Sequence, residues 1–373
     1  MKRIGITGKS GFIGTHLSNR INLEKDKYHL IDFEDNYFDD PLKLNEFVIS
    51  CDTIVHLAAL NRHKDPQEIY NTNVSLVQKL INSLEVTKSK PHVIFSSSTQ
   101  EEKENLYGKS KKRGRELLEN WAKKNNGQFT GLVIPNVFGP FGNPFYNSFI
   151  TTFSYQLSRN LEPIIEIDSE VGLIFVDELV REIIKIIEND NSNINKIRLA
   201  ETSRYKVSEV LSLLNSFKDQ YLLQGIIPEL ENNFKVNLFN TLRSYIDLKN
   251  FYPFHYKLNK DDRGVFVEIL KLHSGGQISY STTKPGITRG NHFHTRKIER
   301  FTVIQGEAVI KMRKINTDKV FEFKLKGDEP GFVDMPIWFT HNITNIGNSE
   351  LITLFWINEF YNPDNPDTYY EGV

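Results

Sequence analysis

The stretch KRIGITGKSGFIG, Lys2 to Gly14, decides the fold of the first half of this chain. A run of β-formers, RIGIT at 3 to 7, leads directly into Gly8, Gly11 and Gly14 and then into a helical pattern. Each glycine has its own use: the first permits a tight turn, the second lets the backbone approach a pyrophosphate, and the third lets the helix pack closely. The helix N-terminus then offers free N–H groups to the phosphate. Three glycines at this spacing, taken alone, mark a turn-rich loop more often than a cofactor site. The strand before them and the helix after them favour the cofactor.

Outward from this loop, short apolar runs alternate with amphipathic stretches up to about residue 200. Strands are expected at 3–7, 28–33, 53–58, 92–98 and 131–136, and helices at 72–86 and 107–125. That rhythm predicts an α/β, Rossmann-like, doubly wound parallel sheet. Eighteen residues after Gly14, Asp32 ends the second strand. A carboxylate there accepts hydrogen bonds from the adenosine ribose and repels a 2′-phosphate, which favours NADH. In YGKSK, Tyr107 and Lys111 stand four apart on a helix, hence on one face. A lysine ammonium beside a phenol favours phenolate and lowers the tyrosine pKa. Ser98, ending HVIFSSS, can hold the substrate oxygen that the phenol protonates.

The chain has 373 residues, enough for two domains with separate cores. Its 46 Lys+Arg nearly balance 47 Asp+Glu, which argues against nucleic acid or a membrane surface as partner and for a small-molecule substrate. A single cysteine, Cys51, excludes an intrachain disulfide and thiolate metal clusters and fits a reducing compartment. The chain starts straight into a strand, and no apolar run approaches the ~20 residues of a membrane span, so a soluble cytoplasmic protein is expected.

From Asp261 the texture changes to β-branched and aromatic runs broken by glycine turns, as in an all-β antiparallel barrel or jelly roll. Within GNHFHTRKIERFTVIQGEAVI, His292 and His294 stand two apart, so on a strand they share a face. Gly286, His292, His294, Glu299 and Gly306 fit G-x5-H-x-H-x4-E-x6-G, and His341 in PIWFTHNITN completes a quartet of three histidines and a glutamate. Such ligands suit one divalent metal, with zinc the expected ion among Zn, Fe, Mn and Ni. Lone histidines on strands are usually surface residues; four candidates in two motifs lower that reading. We expect residues 1–250 to form the nucleotide-binding domain and 251–373 the β domain.

The first part resembles the extended short-chain dehydrogenase/reductase family. The residues carrying the likeness are TGKSGFIG (7–14), VHLAA (55–59), Asn73, FSSS (95–98), Tyr107 with Lys111, PNVFGP (135–140) and FVDELV (175–180). The resemblance implies a catalytic set of Ser98, Tyr107 and Lys111. It also implies a nicotinamide cofactor held by Gly8, Gly11, Phe12, Ile13 and Gly14, by Leu57 and Ala58 at the VHLAA strand end, by Pro135, and by Tyr107 and Lys111. The second part resembles the cupin family, although Trp338 stands where the second cupin motif usually has glycine.

In this order, and with NRHKDP (61–66), NPFYNSFI (143–150), DDRGVFVEIL (261–270) and FYNPDNPDTYY (360–370), the whole chain is similar to bifunctional capsular-polysaccharide enzymes of the CapF type. That likeness implies a UDP-linked 4-keto-6-deoxy-HexNAc substrate on the route to UDP-N-acetyl-L-fucosamine. It is epimerised at C3 by the cupin part and reduced at C4 by the other. It also implies NADPH, against the NADH that Asp32 favours, and a homodimer. Competing readings are a UDP-sugar 4-epimerase or dehydratase and a non-catalytic sugar-nucleotide sensor. A dehydratase wants an acid pair where this chain has Thr99 and Gln100, with Glu101 and Glu102 slightly too late.

Overall fold

In a computed structural model of the chain, six strands lie side by side and parallel. Their order is Tyr28–Ile31, Lys2–Thr7, Thr53–His56, His92–Ser98, Phe129–Ile134 and Ile194–Arg198. The five expected strands are present. The sixth, INKIR, stands last in the sheet with alternate residues partly exposed, so it lacks the continuous apolar run of a strand buried on both faces. Both faces of the sheet are covered. Leu44, Phe47, Leu80, Leu84, Leu118 and Trp121 fill one layer, and Leu17, Ile21, Leu179, Ile183 and Ile187 the other. The expected helices run Pro66–Thr87 and Leu106–Asn125. The first starts with Pro66 after Asp65, whose carboxylate accepts from the Gln67 N–H.

The structure describes residues 1–146, 148–189, 194–262 and 264–373; Asn147 and Arg263, which fall in two of the resemblance-bearing stretches, lie outside them. The contacts divide the chain into one unit of Met1–Thr152 with Glu166–Val207 and another of Phe153–Ile165 with Ser208–Val373. Among the described residues no helix is long and apolar enough to cross a membrane.

The second unit contains two five-stranded antiparallel sheets. One runs Phe254–His255, Gly331–Met335, Glu299–Gln305, Leu351–Ile357, Gln277–Thr283; the other Val320–Lys326, Glu307–Lys314, Phe339–Asn345, Thr288–Phe293, Tyr369–Tyr370. This is the all-β antiparallel architecture expected of that half. The boundary was expected at 250/251; by contacts the helices Val207–Phe217 and Asn233–Arg243 group almost wholly with the sheets. The physical reason is a buried polar seam. Arg300 pairs with Asp334 at 2.7 Å and donates to the Gly225 carbonyl, Tyr221 donates to Asp334 at 2.8 Å, and Arg243 donates to the Met335 carbonyl at 2.9 Å. Leaving those groups unpaired would cost more than any local propensity supplies.

Candidate functional site

In the first unit the winding reverses between Lys2–Thr7 and Thr53–His56, and loops leaving the C-terminal ends of adjacent strands diverge there to open a crevice. Gly8 follows one strand and Leu57 the other, and both line a cavity of about 850 Å³. The backbone at Gly8 has φ +70°, and a Cβ on it would lie 2.8 Å from the Ala58 nitrogen, so only glycine allows this approach. The helix Phe12–Ile21 begins at Gly11 with no side-chain cap. Its first N–H groups have no side-chain oxygen to bind, as a phosphate-binding terminus requires.

Of the expected cofactor and catalytic residues, Gly8, Gly11, Phe12, Ile13, Gly14, Leu57, Ala58, Ser98, Tyr107, Lys111 and Pro135 all line this cavity. Asp32 is not among them. It follows its strand immediately, is almost fully exposed, and sits 3.6 Å from the Lys9 ammonium of the glycine loop, while Asp35 lines the cavity instead.

The Leu106–Asn125 helix carries Tyr107 and Lys111 on one face, with the lysine nitrogen 5.9 Å from the phenol ring centroid and 5.2 Å from that of Phe95. Lys111 also donates to Ser96 Oγ at 3.4 Å. Burial brings its pKa down to about 8. Burial, and then Tyr146, push the Tyr107 phenol up to about 12. The expected acidification of the phenol by lysine is therefore outweighed in this arrangement. Ser98 Oγ accepts from the Gln100 N–H at 3.2 Å, which fixes the oxygen and leaves its proton free to donate. Glu101 faces elsewhere: its buried carboxylate takes Ser97 at 2.7 Å, Arg115 at 3.0 Å and Lys196 at 2.6 Å. Burial raises its pKa, but these partners outweigh that and keep it ionised, so it is no free acid for a dehydratase.

Sequence reasoning gave no role to Asn61, Arg62 or Tyr146, which also line the cavity. The Asn61 N–H donates to the Tyr146 hydroxyl at 3.4 Å, and Arg62 to the Phe145 carbonyl at 2.8 Å. Both stretches were marked by resemblance; their meeting across 83 residues was not legible from either alone.

In the second unit the predicted ligands come together. One ligand atom from each of His292, His294, Glu299 and His341 lies within 4.8 Å of the others. A β-bulge makes this possible. Gly290 pairs with Asn342 and His292 with His341, so Asn291 is the extra residue. Without it, His292 would turn to the other face of the sheet. Gly290 has φ +102°, and a Cβ there would come within 2.8 Å of the His341 carbonyl oxygen. Trp338, the departure from the cupin pattern, keeps a left-handed backbone of φ 63°. Its N–H donates to the His294 carbonyl at 2.7 Å, and its ring is buried. The turn is retained without glycine.

The three Nε2 atoms converge on Glu299 Oε2, at 3.0 Å from His294, 3.2 Å from His341 and 4.0 Å from His292. The opposite nitrogens of two rings face carbonyls: His294 Nδ1 that of Asp367 at 2.5 Å, and His341 Nδ1 that of Phe339 at 3.1 Å. A carbonyl only accepts, so these contacts place the protons on Nδ1. In the neutral rings Nε2 is then bare and faces a carboxylate oxygen, lone pair against lone pair, an arrangement that a cation between them makes favourable. Without one, burial lowers the pKa of His294, but Glu299 outweighs that, raises it and favours a second ring proton there. The donor set fits a divalent metal. Burial and the neighbouring histidines bring His292 down to about 4, which keeps it neutral as a ligand must be. His292 and Glu299 line a further cavity of about 290 Å³ with Arg289, Phe301 and Tyr361.

Comparison with known proteins agrees with both halves. Residues 4–198 match the NAD dependent epimerase/dehydratase family, and residues 259–369 the Polysaccharide biosynthesis C-terminal domain. The chain is 30% identical to the UDP-2-acetamido-2,6-beta-L-arabino-hexul-4-ose reductase of Pseudomonas aeruginosa, over 98% of each protein. It is similar to the crystal structure of capsular polysaccharide assembling protein CapF from Staphylococcus aureus, with 34% identity, a TM-score of 0.62 and full coverage of both chains. RMD from Pseudomonas aeruginosa, solved with NADPH, shares the fold at 18% identity and a TM-score of 0.53, over 59% of this chain and 82% of that one. A glycine loop at a sheet switch point, a serine, tyrosine and lysine on one cavity, and a family match over residues 4–198 lead to one conclusion: the chain belongs to the NAD dependent epimerase/dehydratase family.

Proposed function

We propose that this chain is a bifunctional nucleotide-sugar enzyme. It epimerises a UDP-2-acetamido-2,6-dideoxy-4-ketohexose at C3 in its β domain and reduces the C4 ketone in its nucleotide-binding domain, on the route to UDP-N-acetyl-L-fucosamine. The observation carrying this reading is the full-length likeness to a reductase whose name specifies a hexul-4-ose.

The chemistry links the two steps. A C4 ketone acidifies the C3–H bond, so a base can remove that proton and return it on the other face. Reduction then removes the activating ketone and makes the new configuration permanent. In the larger cavity, Ser98 donates a hydrogen bond to the ketone oxygen and orients it. Tyr107 stays protonated well above neutrality, so it can donate its proton to the developing alkoxide. Lys111 supports the charge left on the phenol and holds the cofactor ribose. A reduced nicotinamide, when bound, supplies the hydride. In the β domain, His292, His294, Glu299 and His341 would hold one divalent metal, zinc in our reading. Such an ion would supply Lewis-acid stabilisation of developing negative charge. Arg289, steered by Thr283 Oγ1 and the Thr282 carbonyl at 3.0 Å each, stands at the cavity wall.

We assign NADPH as the preferred cofactor, with NADH a weaker substitute. Support comes from Asp32, which does not line the cavity and has Lys9 beside it to offset its charge against a 2′-phosphate. Kinetics with both cofactors test this, and a strong NADH preference lost in Asp32→Ala would reverse the assignment. We also read the protein as a homodimer. The strand Gln277–Thr283 stands last in its sheet and exposes Ile278 and Tyr280, an edge that a partner would cover. Light scattering on the purified chain measures its mass.

The decisive experiment offers the protein a UDP-linked 4-keto-6-deoxy-HexNAc in deuterated water with reduced cofactor. Deuterium at C3 together with cofactor oxidation is expected. Oxidation without exchange leaves only the reductase, and a cofactor that is not consumed overturns the proposal.

A further inference from the structure

After the strand Leu351–Ile357 the chain returns over the histidine cluster, and Asp367 anchors it there. Its carboxylate is fully buried. Oδ1 accepts from the Thr295 N–H at 3.1 Å and the Thr295 hydroxyl at 2.7 Å, and Oδ2 from the Arg296 and Lys297 N–H groups at 3.0 Å each. Three successive main-chain donors and a hydroxyl thus close around one side chain. The backbone of Asp367 is turned to φ 45°, and its own carbonyl faces His294 Nδ1 at 2.5 Å. Two residues later Tyr369 and Tyr370 pair with Phe293 and His292. The strap therefore holds both histidines of the H-x-H pair, one through a hydrogen bond and one through strand pairing.

We propose that Asp367 is a positioning residue of the metal centre, selecting the His294 tautomer that leaves Nε2 bare toward the other ligands. The inference rests on the reading of the four-residue cluster as a metal site. Its logic is that of a carbonyl partner. A neutral imidazole has a single N–H, and a carbonyl on Nδ1 claims it. Without the strap, that proton can sit on Nε2 and bond to Glu299, only 3.0 Å away. The cluster would then close on itself, and a metal would have to displace a proton to enter. Asp367 acts through its carboxylate as well, because the grip on residues 295–297 sets where its carbonyl lies.

The test uses the full-length chain stripped of metal, as wild type, Asp367→Ala and Asp367→Asn, each titrated with Zn²⁺ against a chromogenic chelator. Visible spectra with Co²⁺ report the ligand geometry. Asp367→Ala is expected to bind zinc about 10–100-fold more weakly, the usual cost of losing such a partner, with an altered Co²⁺ spectrum. Asp367→Asn keeps a side-chain acceptor and is expected to recover part of the affinity. A folded Asp367→Ala that binds zinc like wild type, with an unchanged Co²⁺ spectrum, overturns the proposal. Should that variant fail to fold, Thr295→Val is read instead: weaker zinc binding supports the strap, and wild-type binding overturns it. A wild-type chain that takes up neither ion brings down the metal reading itself, an outcome distinct from equal binding by wild type and variant.

Discussion

Tyr107 and Lys111 show how far single residues could be read. Their spacing of four put them on one face, and both line the large cavity. Their proton affinities depend on surroundings from other segments, with burial moving them in opposite senses. Tyr107→Phe removes the proposed proton donor, and kcat for ketone reduction is expected to fall about 10²–10⁴-fold, far more than cofactor affinity, to which Tyr107 is one of many contributors. Stopped-flow reduction and cofactor titration separate the two. Lys111 carries a cost in stability. In the folded chain it releases its proton near pH 8, against 10.5 when exposed, so between those values the unfolded state holds more protons and stability rises with pH. Below pH 8 the full penalty for burying the ammonium stands. Lys111→Met is therefore expected to raise the Tm at pH 7 while lowering activity, and the gain should shrink toward pH 10. An equal gain at both pH values would show that charge burial is not the cause.

Elements place the ligands, and two irregular ones matter most. The H-x-H pattern already put His292 and His294 on one face, but the bulge at Asn291 decides which face and opposite which partner. Deleting Asn291 should rotate His292 out of the cluster, and on the proposed metal reading the purified variant is expected to retain less divalent metal than wild type by metal analysis. At Trp338 the backbone is left-handed, which costs a residue with a Cβ about 1–2 kcal/mol. Replacing the buried indole removes about 3–5 kcal/mol of packing in any case. Trp338→Gly should nevertheless be at least as stable as Trp338→Ala, the reverse of the usual order, and thermal unfolding of the pair checks it.

At the scale of the whole molecule, the two proposed chemistries should separate. Chelation of the metal, or His341→Ala, is expected to abolish C3 deuterium exchange while leaving reduction of an already epimerised ketone; Tyr107→Phe should do the converse. Measuring exchange by NMR and reduction by cofactor absorbance in both variants tests that independence. The chain's own pattern determined the parallel sheet, the glycine loop after its first strand and the shared face of the paired histidines, because each is a local code: apolar period, glycine spacing, histidines two apart on a strand. Only the tertiary structure decided the rest. Residues 208–251 join the β unit through buried charges on Arg243, Arg300 and Asp334 that no local periodicity marks. Asp32 stands outside the cavity and Asp35 within it, since the strand ends at Ile31 and the chain turns into the short helical segment Asp35–Asp39 beside the cavity. Asp367 reaches His294 across 73 residues of sequence, a distance that folding alone closes.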